Sequence, residues 1–251
     1  MIKYFGRAIE MGDAIWLPYC GAAPFPAELW ARWNLDPVLL LALAISAGAF
    51  VRWSGADAAR CRWFAAAMAL FALLFVSPFC AFSSALFAVR VTHHVLLTAL
   101  VAPLLVAALP TRVHGGVALW AALHAVVFWG WHAPPVYSWA LSSDAAYWLM
   151  QISLLGSAFA LWNAIRAEPL PGAIAALLGT MVQMGLLGAL ITFAPTPLYV
   201  PHFLSTVAWG LTPLDDQQLA GLIMWAPGAA VYLAAALLLL SRWFAREQAA
   251  A

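Results

Sequence analysis

The sequence predicts an all-α, polytopic membrane protein: a bundle of seven transmembrane helices with its N-terminus outside and its C-terminus in the cytoplasm. Three observations predict this fold class. Of the 251 residues, 66% are hydrophobic and only 8% are charged, whereas soluble domains carry about 25% charged residues. The apolar residues fall into seven long segments, and arginines are concentrated between alternate segments. The composition therefore excludes a water-soluble domain, and a formal net charge of +1 predicts no nucleic-acid partner.

Seven apolar segments approach the length of about 20 residues that a transmembrane helix needs. They are residues 37–53, 62–80, 85–109, 115–132, 145–165, 171–194 and 217–241. Pro103 and Pro227 lie inside segments and are expected to kink them. Membrane-spanning strands are not expected, because each backbone polar group has to be satisfied within its own segment. The chain divides into an N-terminal interfacial segment (1–36), a transmembrane domain (37–245) and a cytoplasmic tail (246–251).

The distribution of basic residues predicts the orientation, because cytoplasmic loops of membrane proteins are enriched in Lys and Arg. With the N-terminus outside, seven arginines lie in the cytoplasm: Arg52, Arg60, Arg62, Arg112, Arg166, Arg242 and Arg246. Four basic residues lie outside: Lys3, Arg7, Arg32 and Arg90. The first 16 residues lack the apolar region of a signal peptide. We therefore expect the first spanning helix to serve as the uncleaved targeting signal.

A polar stripe occupies the outer half of the third segment. Arg90, His93 and His94 share one helix face by their i, i+3 and i+4 spacing. Neutral imidazole is the commonest metal ligand in proteins. Hydrogen bonding within the bundle, or to lipid headgroups, would explain the same residues. The stripe is therefore a candidate ligand set with a structural alternative.

His132 ends the fourth segment, directly before a Pro-Pro turn in the sequence WHAPPVYSWAL. The surrounding aromatic residues are typical of a membrane interface. The rigid turn sets the direction of the imidazole, however, which favours a role for His132 near the site.

Four polar residues follow one another at the start of the last segment: Asp215, Asp216, Gln217 and Gln218. Ionisable groups at membrane depth are costly and tend to mark functional sites. One aspartate is expected to be the N-cap of this helix, and the other is expected to be functional. The preceding connection, about 195–216, carries Tyr199 and His202 and is expected to form an ordered lid.

Soft and small residues lie in the sixth and seventh segments. Thioethers select Cu(I), which makes Met224 a candidate ligand, although methionine is also ordinary core filler. Gln183 is a second buried polar candidate, and Gly188 is expected to permit close helix packing. The cysteines at positions 20, 61 and 80 are widely spaced and predict neither a zinc site nor a disulfide framework.

Several of these motifs together carry a family resemblance. They are WNLDP (33–37), SPF (77–79), HHVLLTALVAPLL (93–105), WHAPPVYSWAL (131–141), TFAPTPLY (192–199) and LTPLDDQQLAGLIMW (211–225). In this order they resemble the CtaG family of cytochrome c oxidase assembly factors, the group linked to caa-type oxidases. The resemblance implies a multi-pass protein of the bacterial inner membrane, without enzymatic activity, that serves copper supply to the oxidase. Arg90 stands where the family often has a histidine, and Tyr147 and Gln151 occupy a stretch where histidines are frequent.

The leading hypothesis is an assembly factor that holds copper transiently at the periplasmic face. The candidate metal residues are His93, His94, His132, Asp216 and Met224. The remaining polar cluster comprises Arg90, Gln183, Tyr199, His202, Asp215, Gln217 and Gln218. The expected partners are oxidase subunits, periplasmic copper donors and the lipid bilayer. Two alternatives remain open: a scaffold that binds an oxidase subunit without metal, and a haem or quinone protein. The latter would need two facing histidines at matching depth; His94 and His124 supply the number, but we expect them to lie at different depths.

Overall fold

A computed structural model describes residues 16, 18–53, 55 and 57–250. It is 80% helical, and no strand occurs in the described part of the chain, so the all-α prediction is confirmed. We number the helices α1 (Pro37–Trp53), α2 (Ala58–Phe75), α3 (Pro78–Ala85), α4 (Phe87–Ala108), α5 (Val117–His132), α6 (Pro134–Ala140), α7 (Asp144–Ala167), α8 (Leu170–Thr192) and α9 (Pro213–Ala249). Short 3-10 helices cover Pro26–Ala31, Val200–His202 and Thr206–Trp209.

Each of the seven predicted segments is helical. Five helices are long and apolar enough to cross a membrane: α2, α4, α7, α8 and α9. The other two predicted spans, α1 and α5, are shorter apolar helices. Many large apolar side chains on the outer surface are exposed, including Val51, Val126 and Ile152, as expected where lipid replaces water. Within the predicted N-terminal segment (1–36), residues 1–15 and 17 lie outside the described residues.

The second predicted segment ends earlier than expected. Helix α2 stops at Phe75, and α3 begins three residues later, at Pro78. The Ser77 hydroxyl accepts a hydrogen bond from the Phe79 N–H (3.1 Å), and Pro78 occupies the first turn of α3. This is a favourable helix start, because proline lacks the N–H that the first turn leaves unpaired. Hydropathy alone did not reveal the turn, since both sides of it are apolar.

The two internal prolines coincide with π-helical turns. In α4 the turn Leu97–Val101 ends just before Pro103, and in α9 the turn Met224–Gly228 contains Pro227. Proline cannot donate to the carbonyl four residues earlier, and a wider turn is one way for a helix to accommodate this. The irregularities predicted at these prolines therefore take the form of π turns.

The helices alternate in direction, which gives the bundle two distinct ends. We call one the loop-rich end: α1, α4, α7 and α9 begin there, and α2, α5 and α8 finish there. The other we call the arginine-rich end, where the Arg60 guanidinium donates to the Ala108 carbonyl (2.8 Å) and the Thr111 N–H donates to the Asn163 side chain (3.0 Å). All seven arginines of the predicted cytoplasmic side occur in or next to helix ends at this second end.

A disulfide joins Cys20 to Cys80, with the Cα atoms 5.4 Å apart. The expectation that no disulfide forms is therefore wrong. The two cysteines are 60 residues apart in sequence, and the antiparallel course of α1 and α2 returns the chain to the same end of the bundle. The Asn34 amide, which donates to the Phe75 carbonyl (3.0 Å), holds the same N-terminal segment against α2.

Helices α8 and α9 approach closely at a pair of glycines. A Cβ atom added to Gly188 would lie 2.7 Å from the Gly221 carbonyl oxygen, and one added to Gly221 would lie 2.2 Å from the Thr192 hydroxyl. No side chain fits at either position without moving the two backbones apart. The close packing predicted for Gly188 is thus present.

Gly188→Ala is expected to destabilise the bundle by about 1–3 kcal/mol, because the added methyl forces α8 away from α9. Gly179→Ala is the matched control on the same helix, since nothing lies within 4 Å of its Cβ position. Thermal unfolding of the purified protein in detergent measures both. Equal midpoints for the two variants would contradict this packing.

Candidate functional site

The polar residues of α4 lie in the half of the bundle nearest the loop-rich end. Arg90, His93 and His94 are each 0% exposed. The position of α4 is set by Asp216 of α9. One Asp216 carboxylate oxygen accepts the Phe87 N–H (2.7 Å) and the other accepts the Ala88 N–H (3.0 Å). These are N–H groups of the first turn of α4, where a helix has no internal acceptors and its dipole favours an anion.

Asp215 has a different role. Thr212 is the N-cap of α9, and Asp215 closes a capping box with it: the Thr212 hydroxyl accepts the Asp215 N–H (3.1 Å), and the Asp215 carboxylate accepts the Thr212 N–H (3.1 Å). The prediction that an aspartate is the N-cap is therefore wrong in detail, since threonine fills that position and Asp215 completes the motif.

Gln217 holds the segment between α8 and α9, residues 193–212, which we call the lid. Its amide oxygen accepts the Leu198 N–H (2.7 Å), and its amide nitrogen donates to the Ile191 carbonyl (3.2 Å) and to that of Thr196 (3.4 Å). The side chain is 1% exposed. Gln218 contributes its backbone carbonyl, which accepts the Thr192 hydroxyl (3.4 Å).

The lid is also attached to the ends of α3, α5 and α6. The Tyr199 hydroxyl donates to the His132 carbonyl (2.8 Å), and the Ser205 hydroxyl donates to the Ala85 carbonyl (2.6 Å). The His202 ring and the Tyr137 hydroxyl form a 2.7 Å hydrogen bond. Burial lowers the pKa of His202 to about 3, so this imidazole is neutral at physiological pH. The lid is thus an ordered cover at the loop-rich end.

His132 and His94 face each other across α5 and α4, with ring centroids 5.4 Å apart and planes perpendicular. His132 Nδ1 lies 2.6 Å from the Phe128 carbonyl oxygen, an acceptor, so Nδ1 carries the proton. The lone pair is then on Nε2, which is buried and has no hydrogen-bond partner. This arrangement, with one ring nitrogen bound to a backbone carbonyl and the other free, is the usual one for a metal-binding histidine.

The second imidazole has a similar arrangement. His94 Nε2 lies 3.4 Å from the Gln151 amide nitrogen, while the Gln151 amide oxygen and His94 Nδ1 have no hydrogen-bond partner. Because amide nitrogen and oxygen positions are interchangeable assignments, the amide oxygen can instead accept a proton from His94 Nε2. That assignment leaves the lone pair of His94 on Nδ1. Each histidine of the pair then has one free nitrogen.

The other candidate metal residues have different surroundings, although His93 lies close to the pair and neither of its ring nitrogens has a hydrogen-bond partner. His93 points towards α2 and α3, with its ring against Phe75 (4.7 Å) and Phe79 (6.2 Å), and its centroid lies 6.0 Å from that of His94. Both oxygens of the Asp216 carboxylate accept backbone N–H groups of α4. Met224 is fully buried in the core at the π turn of α9. Among the described residues, no three His, Cys, Asp or Glu side chains converge on one point.

Arg90 is bound to Tyr147 of α7. One guanidinium nitrogen lies 3.3 Å from the Tyr147 hydroxyl, and the guanidinium carbon lies 5.2 Å from the ring centroid. The same hydroxyl is 3.6 Å from the sulfur of Cys20, and the Tyr19 ring stacks on Tyr147 at 5.2 Å. Two polar residues of α7 therefore contact the polar stripe of α4: Tyr147 contacts Arg90, and Gln151 contacts His94. In the sequence, Tyr147 and Gln151 stand out because they are polar residues four positions apart in the apolar segment DAAYWLMQ.

Two further polar residues link helices away from the pair. The Gln183 amide oxygen accepts the Trp129 indole N–H (2.6 Å), and His124 Nδ1 bonds the Ser157 hydroxyl (2.9 Å). His124 lies eight residues before His132 on α5, or about 12 Å along the helix axis. It therefore does not face His94, and the pairing of His94 with His124 that a haem protein would use is not formed.

These features define a class: an all-α membrane protein whose polar residues are buried under a lid at one end of the bundle. The sequence model of the cytochrome c oxidase caa3 assembly factor family (Caa3_CtaG) matches residues 45–117 and 114–246, together about four-fifths of the chain. The chain belongs to this family, as the resemblance of its motifs predicted. Comparisons with curated proteins and with solved structures found no match.

Asp216→Asn is expected to destabilise the protein by about 1–3 kcal/mol, because the neutral amide offers one acceptor where two backbone N–H groups are buried. Asp144→Asn is the control, since Asp144 is an exposed acid in the first turn of α7 and should change the unfolding midpoint little. Thermal unfolding in detergent measures both variants. A loss for Asp216→Asn no greater than that of the control would contradict the capping role.

Proposed function

We propose that this protein assists the assembly of cytochrome c oxidase by holding a copper ion transiently between His94 and His132 and passing it to an oxidase subunit. Family membership supports the oxidase as client. The observation that supports copper is the pair of facing, buried imidazoles, each with an unpartnered nitrogen. Copper is the cargo in this proposal and not a resident cofactor, and the assembly-factor family points to a non-catalytic role.

The chemistry of the two side chains fits this cargo. Imidazole is a good ligand for copper, and a buried neutral nitrogen without a hydrogen bond gains from any ligand that it can bind. The Phe128 carbonyl fixes the orientation of one ring, and the Gln151 amide contacts the other. Two protein ligands bind an ion less firmly than the four of a closed structural site, which suits release to a client.

The lid controls access to the pair in this proposal. Both rings are almost completely buried, so an ion reaches them only when a neighbouring element moves. Tyr199 of the lid donates to the backbone carbonyl of His132 itself. We propose that docking of a copper donor or of the oxidase subunit breaks this contact together with the other hydrogen bonds of the lid, and so uncovers the end of α5.

We further propose that α1 and α5 also span the bacterial inner membrane, which makes seven spans, with the loop-rich end in the periplasm. Two observations support the orientation. The arginine-rich end satisfies the positive-inside rule as the cytoplasmic side. The Cys20–Cys80 disulfide lies at the opposite end, and disulfides persist in oxidising compartments such as the periplasm. At 17 and 16 residues, the two helices are about 25 Å long and need only short extensions to cross.

A second candidate function is a scaffold that binds an oxidase subunit without metal. It is favoured by the absence of any three converging His, Cys, Asp or Glu side chains in the described part of the chain. In this case the imidazoles would only contribute to the polar interior. Co-purification with an oxidase subunit that survives copper chelation would favour the scaffold.

The double variant His94→Ala, His132→Ala is expected to weaken Cu(I) binding by about tenfold or more, because both proposed ligands are removed. Competition with a chromogenic Cu(I) chelator measures the affinity, and oxidase activity of cells carrying the variant measures the consequence. His114→Ala is the control, since His114 is exposed at the arginine-rich end. Unchanged Cu(I) affinity together with full oxidase activity would exclude the copper role.

The orientation is tested through the cysteines. A membrane-impermeant maleimide should label Cys61, which is exposed near the start of α2, only after the cells are permeabilised. Cys20 and Cys80 should become labelled in intact cells only after reduction, because their disulfide faces the periplasm. A Cys61→Ser variant identifies the labelled residue. Labelling of Cys61 in intact cells would reverse the orientation.

A further inference from the structure

A second polar feature lies at the arginine-rich end, remote from the histidine pair. Four helices, α4, α7, α8 and α9, diverge there and leave a cavity of about 530 Å³. The walls of its deeper part are apolar, with Val106 of α4, Trp162 of α7, Leu177 of α8 and Leu239 of α9 among them. Such a surface accommodates hydrocarbon chains and offers nothing to a soluble polar molecule.

The mouth of the cavity is basic. Arg166 occupies the last turn of α7, and Arg242 and Arg246 follow each other by one turn on α9. All three are exposed. Glu168 is the one carboxylate among the lining residues that the structure describes, and no salt bridge to any of the three guanidinium groups is found within the described ranges. Arg242 and Arg246 repel each other at this spacing, so an anion bound between the three would relieve unfavourable electrostatics.

The start of α8 lies at the same mouth, and Leu170, its first residue, lines the cavity. The helix dipole favours an anion there, but the Glu168 carboxylate already lies beside this turn, because its oxygen would be 2.7 Å from a Cβ atom added to Gly172. The headgroup contacts are therefore expected from the arginines. Guanidinium groups form paired hydrogen bonds with phosphate oxygens. A phosphodiester at the mouth would pair with the three arginines.

We propose that this cavity is a binding site for an anionic phospholipid. The phosphate headgroup lies between Arg166, Arg242 and Arg246, and an acyl chain fills the apolar part between α4, α8 and α9. Basic pockets between transmembrane helices on the cytoplasmic side are known places for such headgroups. The basic mouth and apolar interior match both ends of one lipid molecule, which neither free phosphate nor a neutral lipid does.

Another cavity, of similar volume, provides an internal contrast. It measures about 620 Å³ between α1, α2, α4 and α7, and no charged residue lines it among those described. Ser46 contributes a hydroxyl to the lining, and this hydroxyl already donates to the Ala42 carbonyl (2.7 Å). This cavity offers no headgroup site, so it should not distinguish anionic from neutral lipids.

The test is a lipid titration of the purified full-length protein in detergent, followed by native mass spectrometry. Phosphatidylglycerol and phosphatidylcholine with identical acyl chains are compared, and inorganic phosphate is the third ligand. The wild-type protein should prefer phosphatidylglycerol by about fivefold or more. The triple variant Arg166→Gln, Arg242→Gln, Arg246→Gln should reduce the preference to less than about twofold.

The matched control removes three other exposed arginines from the same end: Arg52→Gln, Arg62→Gln, Arg112→Gln. It has the same net charge as the first triple variant and should keep the wild-type preference. Ala235→Phe fills the cavity from α9 without changing charge, and it should weaken phosphatidylglycerol binding by about fivefold while leaving any binding of inorganic phosphate unchanged.

Three results would overturn the proposal. Equal binding of the two lipids by the wild-type protein would exclude a headgroup site. An equal loss of preference in the control triple variant would assign the effect to overall charge. Full competition by inorganic phosphate, together with no effect of Ala235→Phe, would reduce the site to a phosphate site without lipid.

Discussion

Two hydrogen bonds from the backbone of α4 to the Asp216 carboxylate determine how the loop-rich end is built. The residues that they join are about 130 positions apart. At this depth water cannot satisfy the free N–H groups of a helix start, and a buried carboxylate is costly without donors. Each group therefore needs the other. The contact sets the position of α4, and with it the positions of Arg90, one turn further along, and His94, two turns further along.

Residues 215–217 show that polar side chains buried in a membrane protein can serve its architecture and not its chemistry. Asp215 closes its own helix, Asp216 caps α4, and Gln217 holds the lid. These residues are consecutive, yet each satisfies backbone groups of a different element. The energetic cost of placing these side chains at membrane depth is offset by the backbone hydrogen bonds that they make. Among the buried groups that remain without a hydrogen-bond partner are one nitrogen of His94 and one of His132, whose rings lie 5.4 Å apart, which is why the proposed copper site rests on that pair.

The fold was largely predictable and the site only partly so. Apolar length located the seven longer helices but not the short helices α3 and α6, because burial in lipid depends on local composition. It missed the turn at Ser77, where apolar residues continue through the break. The Cys20–Cys80 disulfide was not predicted, since its formation depends on the return of the chain after α1 and α2. Of the candidate ligands, His94 and His132 meet, whereas His93 points to α2 and α3, because consecutive residues on a helix face about 100° apart.

The sequence by itself determined the class of protein, the helical segments, the charge asymmetry between the ends and the family, since each depends on composition or on motifs read along the chain. Only the tertiary structure decided which polar groups meet: Asp216 with α4, Tyr199 with the His132 carbonyl, and the three arginines around one cavity. These contacts depend on the rotation and depth of helices relative to each other. Packing across the bundle sets both, and no pattern within a single segment encodes them.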